Sequence, residues 1–374
     1  MFFRDIIGQK AIKERFIQTI NESRISHAQL FAGPEGSGNL ALALAYAQYV
    51  SCTNKQNGDS CGTCPSCKKY ARLAHPDLHF VYPVVKSPKF KDPVSTDYIE
   101  EWRKMVLHDA YFSLEDWFTF IGTDNAQGMI YAQESDEIIR KLNLKSYESE
   151  YKIMIIWMPE KMNQACSNKL LKMIEEPPSK TLFLLVSESE EQLITTIRSR
   201  CQLTKVPAID EAELVASLNE LPESSGTNTE QIAHLSRGNY RRALQLLKPE
   251  NQDRYNLEKF KELMRLTYGR KFLELFTWVA ELSTIGRERQ KSFLQYALAQ
   301  VRENFVFNLK NPKLVYMDEE EQAFSSRFSP FINERNIMPI SEELEKSILH
   351  ISMNGNPRII FTDMALRIVK LIRR

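Results

Sequence analysis

Four cysteines stand close together as Cys52-x8-Cys61-x2-Cys64-x2-Cys67. Four thiolates on short loops suit tetrahedral zinc, and four protein ligands leave no open position, so such a metal is structural rather than catalytic. Gly58, Gly62 and Pro65 supply turns, and Lys55, Lys68 and Lys69 offset the anionic centre. An iron–sulfur cluster is the minor alternative, because the close run Cys61, Cys64, Cys67 partly resembles such ligation; reduced, unliganded thiols are the least favoured reading. The two other cysteines, Cys166 and Cys201, stand alone.

A second constellation precedes the cysteines. Gly33-Pro34-Glu35-Gly36-Ser37-Gly38-Asn39-Leu40 has the glycines of the phosphate-binding pattern G-x-x-x-x-G-K-[ST]. In that pattern backbone N–H groups wrap the phosphates, the lysine neutralises charge and the hydroxyl holds magnesium. Asn39 occupies the lysine position and Leu40 the hydroxyl position. Neither can do that work, so the loop is expected to bind ATP unproductively at best. An ordinary glycine turn is the bland alternative. A second loss agrees with the first. A hydrolytic strand ends in Asp-Glu for magnesium and the attacking water, whereas the apolar run 152–156 continues into Trp157-Met158-Pro159-Glu160. Glu160 is a carboxylate placed two or three positions too late.

The elements that must hold these residues follow from periodicity. Ile12, Phe16 and Ile20 repeat every four positions and predict a helix over 9–23. A short apolar run over 27–32 predicts a buried strand feeding the glycine loop, and an Ala/Leu-rich helix follows over 39–50. Strands at 152–157 and 181–186, with helices at 163–175 and 190–196, complete an alternating pattern. That alternation predicts a parallel sheet covered on both faces. Past Pro207 short helices dominate, with a polar break at 223–227. Beyond 251 only amphipathic helices are expected, among them 271–282, 287–309 and 359–372.

The expected organisation is therefore an α/β domain over 1–207, with a zinc module at about 52–67 and an insertion at about 80–128. A small helical lid over 208–250 and an all-helical collar over 251–374 follow. The insertion is rich in aromatic residues: Trp102, Phe112, Trp117, Phe118 and Phe120. It reads either as a segment packed on its own small core or as a partner-binding surface. Lys plus Arg number 49 and Asp plus Glu 48, a formal net charge of +1. A dedicated nucleic-acid binder carries a clear basic excess, so any DNA contact is expected to be local or made within an assembly. No apolar run reaches membrane-spanning length, and Met1-Phe2-Phe3-Arg4-Asp5 lacks the features of a signal peptide. A cytoplasmic protein without a membrane partner is expected.

Several ordered motifs together resemble the AAA+ clamp-loader family of bacterial DNA polymerase III. Phe3-Arg4-Asp5-Ile6-Ile7-Gly8-Gln9 looks like its opening box near the adenine pocket, and Arg24-Ile25-Ser26-His27-Ala28 leads into the loop strand as in the family. The four-cysteine module sits after the loop helix and is followed by His75-Pro76-Asp77. The run from Asn168 to Pro178 is similar to N-x-L-L-K-x-x-E-E-P-P, Ser199-Arg200-Cys201 matches the Ser-Arg-Cys motif, and Gly238 to Leu244 looks like the sensor-2 segment.

The resemblance implies a role for each motif. Arg200 would act in trans on the γ-phosphate of ATP held by a neighbouring subunit; taken alone it would be an ordinary surface arginine. Ser187 lies near the sensor-1 position, with packing or loop structure as its expected job. Arg241 takes the sensor-2 position, as a residual sensor or a solvated helix charge. The two broken halves of the site separate this chain from the family's ATPase members and imply a non-hydrolysing subunit. Its implied partners are the gamma/tau ATPase subunits, the delta subunit and the sliding clamp, with primer-template DNA reached through the complex. A divergent ATPase subunit and a stand-alone AAA+ adaptor are the competing readings.

Overall fold

The computed structural model describes residues 1–88, 90–123, 128–224, 227–247, 251–311 and 314–373. The polar break at 223–227 and the insertion at 80–128 each fall partly outside the described residues. Five strands, β1 (Ala28–Ala32), β2 (Leu78–Val81), β3 (Lys152–Trp157), β4 (Thr181–Ser187) and β5 (Gln202–Lys205), form one sheet in the order β2-β3-β4-β1-β5. Every neighbouring pair is parallel.

The helices of the first unit are α1 (Lys10–Asn21), α2 (Asn39–Ser51), α3 (Pro65–Tyr70), α4 (Ile99–His108), α5 (Leu114–Phe120), α6 (Ala132–Asn143), α7 (Gln164–Glu175), α8 (Thr195–Arg198), α9 (Glu211–Asn219), α10 (Thr229–Ser236) and α11 (Tyr240–Leu247). β1, β3 and β4 are buried along their whole length. This is the signature of strands covered on both faces, and it explains why they read as continuous apolar runs. One face packs Phe31, Ile155 and Leu184 against α1 and α2. The other packs Leu30, Met154, Ile156 and Leu185 against residues of α6 and α7 such as Ile138, Leu142, Cys166 and Leu170.

The register sets the site. Ala32 pairs with Ser187, and Trp157 pairs with Val186. The segments leaving β1, β3 and β4 therefore emerge side by side at the carboxyl edge of the sheet, where open α/β sheets place their ligands.

The sequence pattern does not predict β2 and β5, for a physical reason: both are four-residue edge strands, and β5 is exposed at Gln202, Leu203 and Lys205. The helix expected over 190–196 is corrected to turns followed by the single-turn α8. Residues 190–194 form turns and an extended step, with Ile194 as the extended residue ahead of α8, so helix begins only at Thr195.

The chain divides into two compact units, Met1–Leu247 and Lys248–Arg374. The second contains α12 (Asn251–Gly269), α13 (Phe272–Leu282), α14 (Arg287–Phe307), α15 (Glu319–Phe328), α16 (Ile337–Ser352) and α17 (Pro357–Leu371), and no strand among its described residues. Its core gathers Phe260, Trp278, Phe293, Leu344 and Phe361.

Candidate functional site

The glycine loop joins β1 to α2. Gly36 and Gly38 hold φ of 70° and 91°, values that favour glycine. At Gly33 a Cβ would meet the Val206 carbonyl at 2.1 Å, so that position also requires glycine. Asn39 is buried, and its side chain turns back into the loop. Its Nδ2 donates to the Gly33 carbonyl at 2.7 Å and to the Ser187 carbonyl at 3.4 Å. The Ser37 hydroxyl lies 3.1 Å from Asn39 Oδ1 and 2.6 Å from the Pro34 carbonyl. Leu40 is part of the buried core.

Trp157 and Met158 occupy the end of β3, buried to 3% and 1% exposure. Met158 sits in the left-handed region at φ 56° and starts a single 3-10 turn, Pro159–Lys161. Glu160 follows on that turn, and its Oε1 accepts the Glu188 N–H at 3.1 Å. Burial raises the Glu160 carboxyl above its ordinary value. At Glu188 burial, then the charges of Glu35 and Glu160, push the pKa up to about 8. The carboxyl edge of the sheet thus presents acidic groups where a triphosphate would need cations.

Arg241, at the start of α11, is no solvated helix charge: its side chain is 16% exposed. Its Nη2 donates to Asp116 Oδ1 at 2.7 Å, its Nε donates to Asp116 Oδ2, and its Nη1 reaches Glu35 Oε1 at 3.1 Å. Asp116 also caps α5 by accepting from the Ser113 N–H at 2.8 Å. Burial opposes its ionisation, but the Arg241 and Ser113 hydrogen bonds bring the Asp116 carboxyl below its ordinary value. Gln9 ties the opening box to this region, donating to the Ser37 and Pro207 carbonyls at 3.2 and 2.7 Å.

The cysteine module is arranged for a metal. The four Sγ atoms of Cys52, Cys61, Cys64 and Cys67 all lie within 4.8 Å of one another. The Cys52–Cys61 and Cys61–Cys67 separations are 3.7 and 4.0 Å. Tetrahedral Zn–S bonds of about 2.3 Å place sulfurs about 3.8 Å apart, so the donor set fits zinc. The distances are far too long for disulfides. Backbone N–H groups of Cys61, Cys64 and Cys67 point at the sulfurs of Cys52, Cys61 and Cys64 at 3.3–3.4 Å, which is how protein donors support metal-bound thiolates. Asp59, inside the module, accepts the Phe3 and Arg4 N–H groups at 3.2 and 3.1 Å and so fastens the opening box to it.

Arg200 lies apart from these groups in its bonding. Its Nε and Nη2 contact Glu175 Oε2 at 3.0 Å, and Nη1 donates to the Thr196 carbonyl at 2.9 Å. None of these partners belongs to the glycine loop. The pair is partly open to solvent, 33% and 55% exposed. Asp77, in the His-Pro-Asp motif, is a structural anchor: its carboxylate accepts the N–H groups of Tyr147, Glu148 and Ser149.

Sequence reasoning missed Asp116, Tyr111, Glu175 and Glu188 as site residues. Ser113-x-x-Asp116 carries a capping signal, which marks a helix start but not a partner for Arg241. Tyr111 accepts the Ile7 N–H at 3.1 Å through its hydroxyl and packs against Gly38, yet nothing local announces either contact.

A parallel sheet in the order β2-β3-β4-β1-β5, with a glycine loop at its carboxyl edge and helices on both faces, is an α/β fold of the P-loop kind, the kind that AAA+ domains have. Within that class the chain belongs to the clamp-loader family of DNA polymerase III: residues 8–210 match the family described as "DNA polymerase III, delta subunit". It is 29% identical over 194 residues to the DNA polymerase III subunit delta' of Bacillus subtilis, covering 52% of this chain and 46% of that one. It is 26% identical over 238 residues to the delta' subunit of Escherichia coli, covering 64% and 59%. The subunit tau of Bacillus subtilis is 24% identical over 250 residues, covering 66% and 37%. The chain thus spans less than two thirds of each of these relatives. Among solved structures, a gamma subunit-related protein of Thermotoga maritima has a TM-score of 0.40 and 16% identity, covering 96% of this chain and 99% of that one. No helix among the described residues is long and apolar enough to cross a membrane.

Proposed function

We propose that this chain is the delta-prime-type subunit of a clamp loader, a member that turns over no nucleotide itself and lends Arg200 to the ATP site of a neighbouring subunit. The observation that carries the reading is the closed loop: Asn39 spends its amide on Gly33, and Trp157 and Met158 are buried where magnesium-binding carboxylates would stand. The tau relatives match the same region, so similarity alone does not separate an ATPase subunit from an inactive one. The composition of the site favours the inactive one.

In this role the 1–207 domain presents Arg200, the 208–250 helices act as its lid, and the 251–374 helices join a collar with gamma/tau and delta subunits. A guanidinium held by Glu175 is a planar fork pre-set for phosphate oxygens, and stabilising charge on the transferring phosphoryl group is what such a residue contributes. ATP binding at that shared site would tighten the assembly on the sliding clamp and primed DNA, and hydrolysis would release them. The cysteine module would hold one structural zinc, which fixes loop geometry and takes no part in transfer.

The test is reconstitution with the ATPase subunits, delta, clamp and primed DNA, comparing wild type with Arg200→Ala. The adjacent site should lose about 10³-fold or more of its turnover in a complex that still assembles. An unchanged rate would overturn the role of Arg200. Steady hydrolysis by the isolated wild-type chain would favour a divergent ATPase subunit, and failure to assemble with loader subunits a stand-alone adaptor.

A further inference from the structure

The aromatic insertion touches each broken part of the nucleotide site. At the end of β3, Trp157 packs on Trp102 and Phe112 with ring centroids 5.3 and 5.0 Å apart. At the glycine loop, the Tyr111 ring lies where a Cβ on Gly38 would meet it at 3.1 Å. The Tyr111 hydroxyl takes the Ile7 N–H at 3.1 Å, and the ring meets Tyr240 of α11 edge-on at 5.0 Å. From α5, Asp116 grips Arg241 of α11 through both carboxylate oxygens.

These contacts have a common form. A flat ring lies between the opening box, the loop and the 208–247 helices, and an anion sits on the arginine that faces the loop. A carboxylate engages a guanidinium with the same two-pronged geometry as a phosphate. We propose that the insertion is a built-in substitute for nucleotide: Tyr111 fills the place of a planar base, Asp116 that of a phosphate, and together they lock helices α10 and α11 to the sheet. The lock explains two facts otherwise unconnected. Arg241 persists in a site that hydrolyses nothing because it is a structural clasp. Trp157 replaces a carboxylate because it seats the insertion. This rests on the proposed inactivity of the site but is separable from it.

Amide hydrogen exchange on the full-length chain tests the proposal. In Arg241→Gln the exchange of residues 229–247 should rise about 10-fold or more, since a partly buried, bidentate charge-assisted pair is lost. Tyr111→Ala should release the same helices, and the double variant should add little to the larger single effect, because both act on one closed state. Tyr111→Phe, which keeps the ring and removes only the hydroxyl, should speed exchange at Ile7 and leave the fold intact. Unchanged exchange over 229–247 in both single variants overturns the lock, as does acceleration spread equally over 1–207. Millimolar ATP with magnesium should give the wild type no added protection at 229–247; clear protection there would also overturn the proposal. Hydrolysis by the wild-type chain would instead overturn the inactive-subunit reading, and loss of the Arg200 effect would overturn only its role in trans.

Discussion

The Asn39 side-chain amide donates to the Gly33 carbonyl at 2.7 Å, so the glycine loop is closed by the residue standing where a lysine would point at phosphate. A lysine at this position could not keep both ends of that arrangement, because it has donors but nothing to accept the contact from Ser37.

Restoring the motif should therefore not restore the chemistry. Asn39→Lys with Leu40→Thr leaves Trp157 and Met158 in place and Glu160 and Glu188 at the loop's mouth. Phosphate release by this variant should equal the wild-type background. Placing a lysine at buried Asn39 and replacing core Leu40 should cost about 3–5 kcal/mol, a fall in Tm on the order of 10 °C for a unit of this size. Turnover clearly above background would mean that the loop alone had been limiting.

Parts of this site were legible in the sequence and parts were not, and the division follows chain separation. The glycine loop and the cysteine module are local: turns and ligand spacings are written in consecutive residues. The long buried strands β1, β3 and β4 announce themselves by apolar runs, whereas β2 and β5 are too short to do so. The Asp116–Arg241 pair joins residues 125 positions apart. Nothing in either neighbourhood encodes it, and Arg241 alone reads as a solvated helix charge. The aromatic richness of the insertion was visible, but which face its rings cover depends on Trp157 lying beneath them.

That packing makes the insertion a structural part of the first unit. Trp102 is fully buried, stacked on Tyr82 at 4.0 Å and edge-on to Trp117 at 5.4 Å. Trp102→Ala should destabilise by about 3–5 kcal/mol, lowering Tm by on the order of 10 °C in a thermal melt. A change within the scatter of surface substitutions would mean that these rings serve a partner rather than a core.

The thiolate cluster should carry one zinc per chain, read by elemental analysis, with no visible charge-transfer absorption of the iron–sulfur kind. Stripping the metal with a strong chelator, or Cys61→Ser, should lower Tm by at least about 5 °C. Because Asp59 holds the Phe3 and Arg4 N–H groups, exchange at the amino terminus should rise in step. Retained stability after complete metal loss would reduce the module to four spaced thiols.

Arg200 and Glu175 form a solvent-open ion pair, which contributes about 0–1 kcal/mol. Arg200→Ala and Glu175→Gln should each leave Tm within about 2 °C of wild type. This near-neutrality is what permits the reconstitution experiment: a variant that folds normally and still fails to support turnover has lost a function, not a structure. A large drop in Tm with Arg200→Ala would make the loss of turnover uninterpretable as a finger effect.

The Glu188 carboxyl should give the first unit a distinctive response to pH. Burial and the nearby Glu35 and Glu160 raise its pKa from 4.5 to about 8, with Lys161 and Arg241 opposing the shift. An acid held above its unfolded value makes the folded state bind the proton more tightly. Stability from this group is present below about pH 4.5 and declines as pH rises towards about 8, where the folded form also ionises. Glu188→Gln removes the charge while keeping the shape. Its Tm should stay close to the wild type near pH 5 and exceed it by on the order of 10 °C near pH 9. A difference that is constant across this range, or that shrinks with rising pH, would show that Glu188 ionises freely and that the carboxyl edge of the sheet is less hostile to anions than its geometry implies.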